Sequence, residues 1–312
     1  MSPFSPLKYP LCLAMPEHLS DVESWHEHIP FAFALMAVAR PRVLVELGTH
    51  KGDSYCAFCQ AIKTLELDTR CHAVDTWLGD EQAGVFGDEV LEELREYHDS
   101  RYGSFSSLMR MKFDEALPDF ADGSIDVLHI DGLHTEAAVR HDFTSWLPKM
   151  SDRGVILFHD TRVFREDFGV WKVWQDCAKS YPNFEFSHGN GLGVLAVGKQ
   201  APDEVRELCD LGAVERDTSA MLFQALGSRI RLARHDKLLR TQIDELWKRT
   251  RQAEAAGEKL REEGEKLREE IVASQQRFER EIAALDQRYR TSHSWRITAP
   301  LRRLAALAKR NR

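Results

Sequence analysis

The sequence has no long hydrophobic run. Its longest apolar stretch, Phe31 to Ala39, is nine residues, against the roughly twenty that cross a bilayer as a helix. Met1-Ser2-Pro3 is not followed by a basic segment and an apolar block. No secretory leader is therefore read there, and a cytoplasmic location is expected. Cysteine is sparse, six residues scattered singly apart from Cys56 and Cys59. That C-x-x-C has no second pair at zinc spacing, so both are read as small buried hydrophobes of a reduced protein. Positive charge is scarce in the first two thirds. Residues 1–200 carry 18 Lys+Arg against 31 Asp+Glu, and residues 201–312 carry 24 against 19. An acidic N-terminal portion argues against nucleic acid as a partner.

Glycine is missing where a dinucleotide loop requires it, because a G-x-G-x-x-G run does not occur after the first strand. What stands there is Val43-Leu44-Val45-Glu46-Leu47-Gly48-Thr49-His50-Lys51-Gly52-Asp53-Ser54, followed by helical spacing at Tyr55, Phe58, Ile62 and Leu65. This reads as strand, tight turn and helix, with a glycine-bearing turn at a helix N-terminus suited to a polar ligand. A second apolar run, Cys71 to Val74, ends in Asp75, whose carboxylate suits the vicinal hydroxyls of a ribose. Trp77 is either a ring to stack on an adenine or a core or lid residue. Further runs close on Asp131 and on His159-Asp160, so Asp131, His134, His159 and Asp160 converge at the ends of two parallel strands.

Glu46-Leu47-Gly48-Thr49-x-x-Gly52-x-Ser54, Ala73-Val74-Asp75-Thr76-Trp77, Ile130-Asp131-Gly132-Leu133-His134 and Val155 to Thr161 resemble, in order and spacing, the class I S-adenosylmethionine-dependent methyltransferases. More narrowly they are similar to the macrocin O-methyltransferase and cephalosporin-hydroxylase-like branch, over residues 20–200. The resemblance implies an α/β, Rossmann-like sheet, mostly parallel with a terminal antiparallel hairpin, here Phe184–Phe186 and Val194–Val197. It implies cofactor contacts from Glu46, Gly48, Thr49, Gly52, Ser54, Asp75 and Trp77. Asp114 is either an acceptor for the adenine amine or a helix-start carboxylate. The implied activity is O-methylation of a hydroxyl on a sugar in a surface glycan or glycosylated metabolite, the alternatives being a non-catalytic, cofactor-binding scaffold of a membrane-associated glycan-assembly complex or methyl transfer to a non-sugar acceptor. Asp131, His159 and Asp160 would hold Mg²⁺ or Mn²⁺, with Asp131 also catalytic and His134 the general base.

The rest of the chain serves this domain. Residues 1–20, with Pro3, Pro6, Pro10 and Pro16, read as an irregular lead-in, and Ser20 as an N-cap opening a helix interrupted at Pro30. His26 and His28 are read as solvated helix-surface residues ahead of a role in a lid. The acidic stretch 78–102 is a loop and then a helix, placed where a lid would sit. After the domain of residues 21–200 comes a helical linker, 201–238. Residues 239–290 show a seven-residue repeat. Ile243, Thr250, Gly257, Gly264, Ile271, Phe278 and Leu285 occupy one seam position; Leu239, Leu246, Ala253, Leu260, Leu267 and Ser274 occupy the other. That pattern is a coiled coil, and so a homo-oligomer, or else a single charged helix. Residues 291–312 form a basic amphipathic tail expected at an anionic membrane surface, or at a glycosyltransferase or other protein partner.

Overall fold

The computed structural model describes residues 8–80, 82 and 84–310. Pro3 and Pro6 of the lead-in lie outside the described residues. The chain divides into two units, one through Asp236 and one from Lys237.

The first unit is built on a seven-stranded sheet. Its strands are β1 (Val43–Leu47), β2 (Arg70–Asp75), β5 (Ser106–Arg110), β6 (Ile125–Ile130), β7 (Met150–His159), β8 (Asn183–Phe186) and β9 (Leu192–Ala196). They lie in the order β5-β2-β1-β6-β7-β9-β8. The first five are parallel, and β9 runs antiparallel to both β7 and β8. This is the expected sheet. The central strands are buried on both faces and read as continuous apolar runs, as parallel strands under helices must. Leu44, Val127 and Leu157 join the core on one face, and Val45, Leu128 and Ile156 join it on the other. Helices α1 (Ile29–Ala39), α2 (Asp53–Thr64) and α3 (Asp88–Tyr102) contribute to the first core; α5 (Glu136–Trp146) and α6 (Val170–Ala178) contribute to the second. A two-residue ladder, β3 (Gly79–Asp80) with β4 (Gly84–Val85), and the one-turn α4 (Phe113–Ala116) fill the loops after β2 and β5.

Several expectations need correction. No helix starts at Ser20. Its hydroxyl and N–H both donate to the carboxylate of Asp53 instead. Pro30 does not interrupt a helix but sits in the first turn of α1, where its missing N–H is harmless. His26 and His28 are fully buried in a 3-10 turn, neither solvated nor at a rim. Strand β7 begins at Met150, five residues before its apolar run. Cys56 and Cys59 are buried free thiols, as expected.

Residues beyond the sheet also pack into this unit. Helix α7 (Asp203–Cys209) buries Val205 and Leu208, and the opening turns of α8 (Ala213–Thr291) bury Phe223 and Ile230. Gly227 permits the contact, since a Cβ there would lie 2.2 Å from the carbonyl oxygen of Glu27. Ser228 donates to the carboxylate of Glu27 at 3.1 Å.

In the second unit α8 continues without a break through Gly257 and Gly264, and its seam side chains are exposed. Helices α9 (His293–Ile297) and α10 (Ala299–Arg310) follow, with the Arg302 guanidinium stacked 3.3 Å from the Trp295 ring centre. Among the described residues no helix is long and apolar enough to cross a membrane.

Candidate active site

The carboxyl ends of β1, β2, β6 and β7 open onto a cavity of about 790 Å³. Its floor is the turn after β1. Gly48 has φ +85°, and a Cβ there would sit 2.2 Å from the carbonyl oxygen of Asp131. Only glycine lets the two strand ends approach so closely. Helix α2 starts at Asp53 with no side chain capping it, so its first turn meets the cavity as a polar N-terminus. Asp75 braces the turn: Oδ2 accepts from the N–H groups of Thr49 and His50 at 2.8 and 2.9 Å, and Oδ1 accepts from Trp77 N–H at 2.7 Å. Left-handed backbone at His50, Trp77 and Asp160 adds strain on the order of 1–3 kcal/mol each, a cost that clusters at functional sites.

Opposite the turn lies a charged cluster. Nε2 of His134 is 2.9 Å from Asp160 Oδ2 and 3.6 Å from Asp131 Oδ1. Neither contact is an aligned hydrogen bond, and Asp160 Oδ1, 3.4 Å from His159 Nδ1, is likewise buried without one. His134, Asp131 and Asp160 each offer one ligand atom, all within 4.8 Å of one another. Burial opposes charge on His134, but the two carboxylates outweigh it and raise its pKa to about 10. Burial would raise the carboxyl of Asp131; the rings of His159 and His134 overcome it and hold the group well below the usual carboxylate range. Gln82 Oε1 takes both the backbone N–H of His134 (3.0 Å) and its Nδ1–H (3.1 Å), which points Nε2 at the carboxylates. Phe168 stacks on the same ring at 4.6 Å and 9°.

His159 stands behind this cluster. Its Nδ1 reaches Asp131 Oδ1 at 3.1 Å and its Nε2 the Gly189 carbonyl at 3.2 Å. Both partners are acceptors, so both nitrogens carry protons. Burial again opposes the charge, and Asp131 and Asp160 raise the pKa to about 9. A doubly protonated ring has no lone pair for a metal. His134 is protonated in the same way, so a cation would have to displace a proton from either ring; the ligand atoms that lie within reach of one another are those of Asp131, His134 and Asp160, while His159 is tied back to the Gly189 carbonyl.

Of the expected cofactor residues, Gly48, Thr49, Gly52, Ser54 and Asp75 line the cavity. Three others do not. Glu46 is fully buried beneath the turn, with Oε2 accepting from His129 Nδ1 at 2.8 Å, and burial pushes its carboxyl up. Trp25 Nε1, a donor only, bonds His129 Nε2 at 3.2 Å and completes an internal chain. Trp77 is also fully buried, and its indole donates to the His50 carbonyl at 2.8 Å, so it holds the turn and offers no ring to an adenine. Asp114 is a surface residue paired with His141 at 2.8 Å. Trp25, Lys51, Phe86 and Phe113 line the cavity without having been singled out in the sequence. Only the aromatic character of three of them was visible there.

Residues 45–161 match a family model described as a methyltransferase domain. Over 196 residues, 63% of this chain, the sequence is 44% identical to "Uncharacterized protein y4gI" of Sinorhizobium fredii (strain NBRC 101917 / NGR234). That stretch covers 22% of the relative's length. Among solved structures, the O-methyltransferase TomG of Streptomyces achromogenes, in complex with SAM, is 15% identical over 58% of this chain and 91% of that one, with a TM-score of 0.41. The SAH-bound methyltransferase PaMTH1 of Podospora anserina is 11% identical over 59% and 91%, with a TM-score of 0.42. Structural likenesses of that size add no weight. The family match lies within the sheet-bearing unit, from β1 to the end of β7.

Proposed function

We propose that the chain transfers a methyl group from S-adenosylmethionine to a hydroxyl of a sugar, in a surface glycan or a glycosylated metabolite, with a divalent cation assisting. The observation that carries this reading is the meeting of Asp131, His134 and Asp160 on the same cavity as the Gly48–Ser54 turn.

The residues present fit both groups. Thr49 Oγ1 is a buried, unpartnered polar atom on the cavity wall beside an uncapped helix N-terminus, a setting for the carboxylate end of the cofactor. Asp160 Oδ1 and His134 Nε2 are buried without aligned partners, and two carboxylates with one imidazole suit Mn²⁺ as well as Mg²⁺. Bound, the sulfonium would supply an electrophilic methyl and the cation would acidify the acceptor hydroxyl. The chain's own part is to orient. Asp75 and Trp77 hold the turn, while Gln82 and Phe168 hold His134. While His134 keeps its proton it cannot accept another, so it serves as a ligand only once that proton is displaced.

A sugar acceptor is supported by a second cleft of about 400 Å³ that begins at Thr161, the residue after Asp160. Phe164, 65% exposed, and Trp171 lie 5.7 Å apart along it, beside Arg162, Gln175 and Glu185. Flat rings pack on the C–H faces of a pyranose while planar polar groups bond its hydroxyls. The basic residues and Trp295 of the C-terminal helices suit an anionic membrane surface, where glycan assembly would bring substrate near.

The test is calorimetric titration with S-adenosylmethionine, with and without Mn²⁺, followed by transfer of labelled methyl to nucleotide sugars and to extracted envelope glycans. Absence of cofactor binding would overturn the reading at its root. Binding with label appearing only in non-sugar acceptors would overturn the sugar assignment.

A further inference from the structure

Away from the site, the largest feature without an assigned partner is the apolar stripe of α8 beyond Lys237. Leu239, Ile243, Leu246, Leu260, Leu267 and Phe278 are between 45% and 68% exposed. Each occupies one of the two seam positions of the seven-residue repeat, so they fall on one side of the helix. The stripe lies wholly within the second unit, and the inference drawn from it does not depend on the activity proposed above.

We infer that residues 239–278 pair with a second copy of this chain as a parallel, in-register, two-stranded coiled coil. Three observations support it. Three residues of the first seam position, Ile243, Thr250 and Ile271, are β-branched and none of the second is, where Leu239, Leu246, Leu260 and Leu267 stand. That division favours two strands over three or four. The flanking charges fit this register. In a parallel pair, each residue preceding a first-position seam residue meets the residue five places later on the other chain. Arg249 then meets Glu254 of the second copy, and Glu263 meets Arg268 of the second copy, each twice by symmetry. From Gln242 to Phe278 this register places no like charges opposite each other: the remaining pairs are Gln242 with Trp247, Ala256 with Arg261 and Glu270 with Gln275, whereas beyond Phe278 the seam carries Glu281 and Arg288, each of which would face its own counterpart. Finally, a Cβ built at Gly257 or Gly264 has no neighbour within 4 Å. Both glycines sit on the seam, so the stripe is open to a second helix there. The parallel arrangement also brings the basic 290–312 segments of both copies to one end.

The intact 312-residue chain tests this directly. Sedimentation velocity from about 1 to 100 µM should show a monomer–dimer equilibrium or a dimer throughout. Ala253→Cys and Ser274→Cys each place a thiol on the seam, and the six native cysteines are buried. Under mild oxidation each variant, made separately, should link to its own counterpart, because in-register pairing puts identical residues face to face. An antiparallel pair can bring at most one of those two positions onto itself. Glu263→Lys or Arg268→Glu alone should weaken the dimer about tenfold or more, by setting like charges together. The double exchange should restore it, with far-UV circular dichroism showing all three variants equally helical. A monomer across the whole range, a trimer or tetramer, self-linking at only one or neither cysteine, or a double exchange no better than the single ones would each overturn the proposal.

Discussion

His134 and Asp160 meet across two loops: Nε2 lies 2.9 Å from Oδ2, off the axis of a hydrogen bond. The contact is an ion pair between a ring whose pKa is raised to about 10 and a carboxylate whose second oxygen is buried without a hydrogen bond, 3.4 Å from His159 Nδ1. A proton occupies a place that a cation could take.

Asp160→Asn keeps the shape and removes the charge. Mn²⁺ affinity, read by electron paramagnetic resonance, should fall at least about tenfold. Affinity for S-adenosylmethionine should change little, because Asp160 faces the turn across the cavity. Unchanged Mn²⁺ binding in the variant would mean that these three side chains are not a ligand set.

Cation binding should strengthen with pH. His134 is protonated up to about pH 10, so a metal must expel that proton, and its apparent affinity should rise by about tenfold per pH unit below that value. Mn²⁺ titrations at pH 6.5, 7.5 and 8.5 measure the slope. His134→Gln, with no proton to lose, should bind more weakly and with a nearly flat profile.

Asp142 governs part of the stability. It is 6% exposed in α5. Burial, against a smaller opposing pull from His141, raises its pKa from 3.8 to about 7. A raised carboxyl favours folding below 3.8 relative to higher pH, and that favour is lost as pH climbs through 7. The loss is on the order of 4 kcal/mol at full ionisation. Asp142→Asn should therefore unfold at a higher temperature than the parent at pH 8, with the gap closing toward pH 4. Equal gaps at both pH values would refute the assignment.

Trp77→Phe leaves the half-buried His50 carbonyl without its donor. The expected loss is about 1–3 kcal/mol of stability. Because His50 belongs to the turn, affinity for S-adenosylmethionine should drop several-fold while Mn²⁺ affinity stays. If Trp77 instead met the adenine, stability would hold and only cofactor affinity would fall. Thermal melts and calorimetry on the same sample separate the two outcomes.

Strand ends and their acids were legible because they depend on local pattern. Apolar runs closed by Asp75, Asp131 and Asp160 mark parallel strands by composition alone. The partners of those acids were not legible. The β6–β7 register sets Ile130 beside Phe158, which brings the next residues, Asp131 and His159, together and commits both ring nitrogens of His159. Nothing in the spacing of His134 or His159 says which ring meets the carboxylates on the cavity side and which is tied back to the Gly189 carbonyl.

The order of strands, turns and helices, the acidic and basic halves and the seven-residue repeat of the tail were set by the sequence itself, since each rests on periodicity and punctuation within a few dozen residues. Which charged groups face the cavity was decided only by tertiary structure. Glu46 and Trp77 turned inward, Asp114 turned to the surface, and His134 exchanged places with His159. Each outcome follows from contacts between segments far apart in the chain, where burial and a single hydrogen-bond partner outweigh what local spacing can specify.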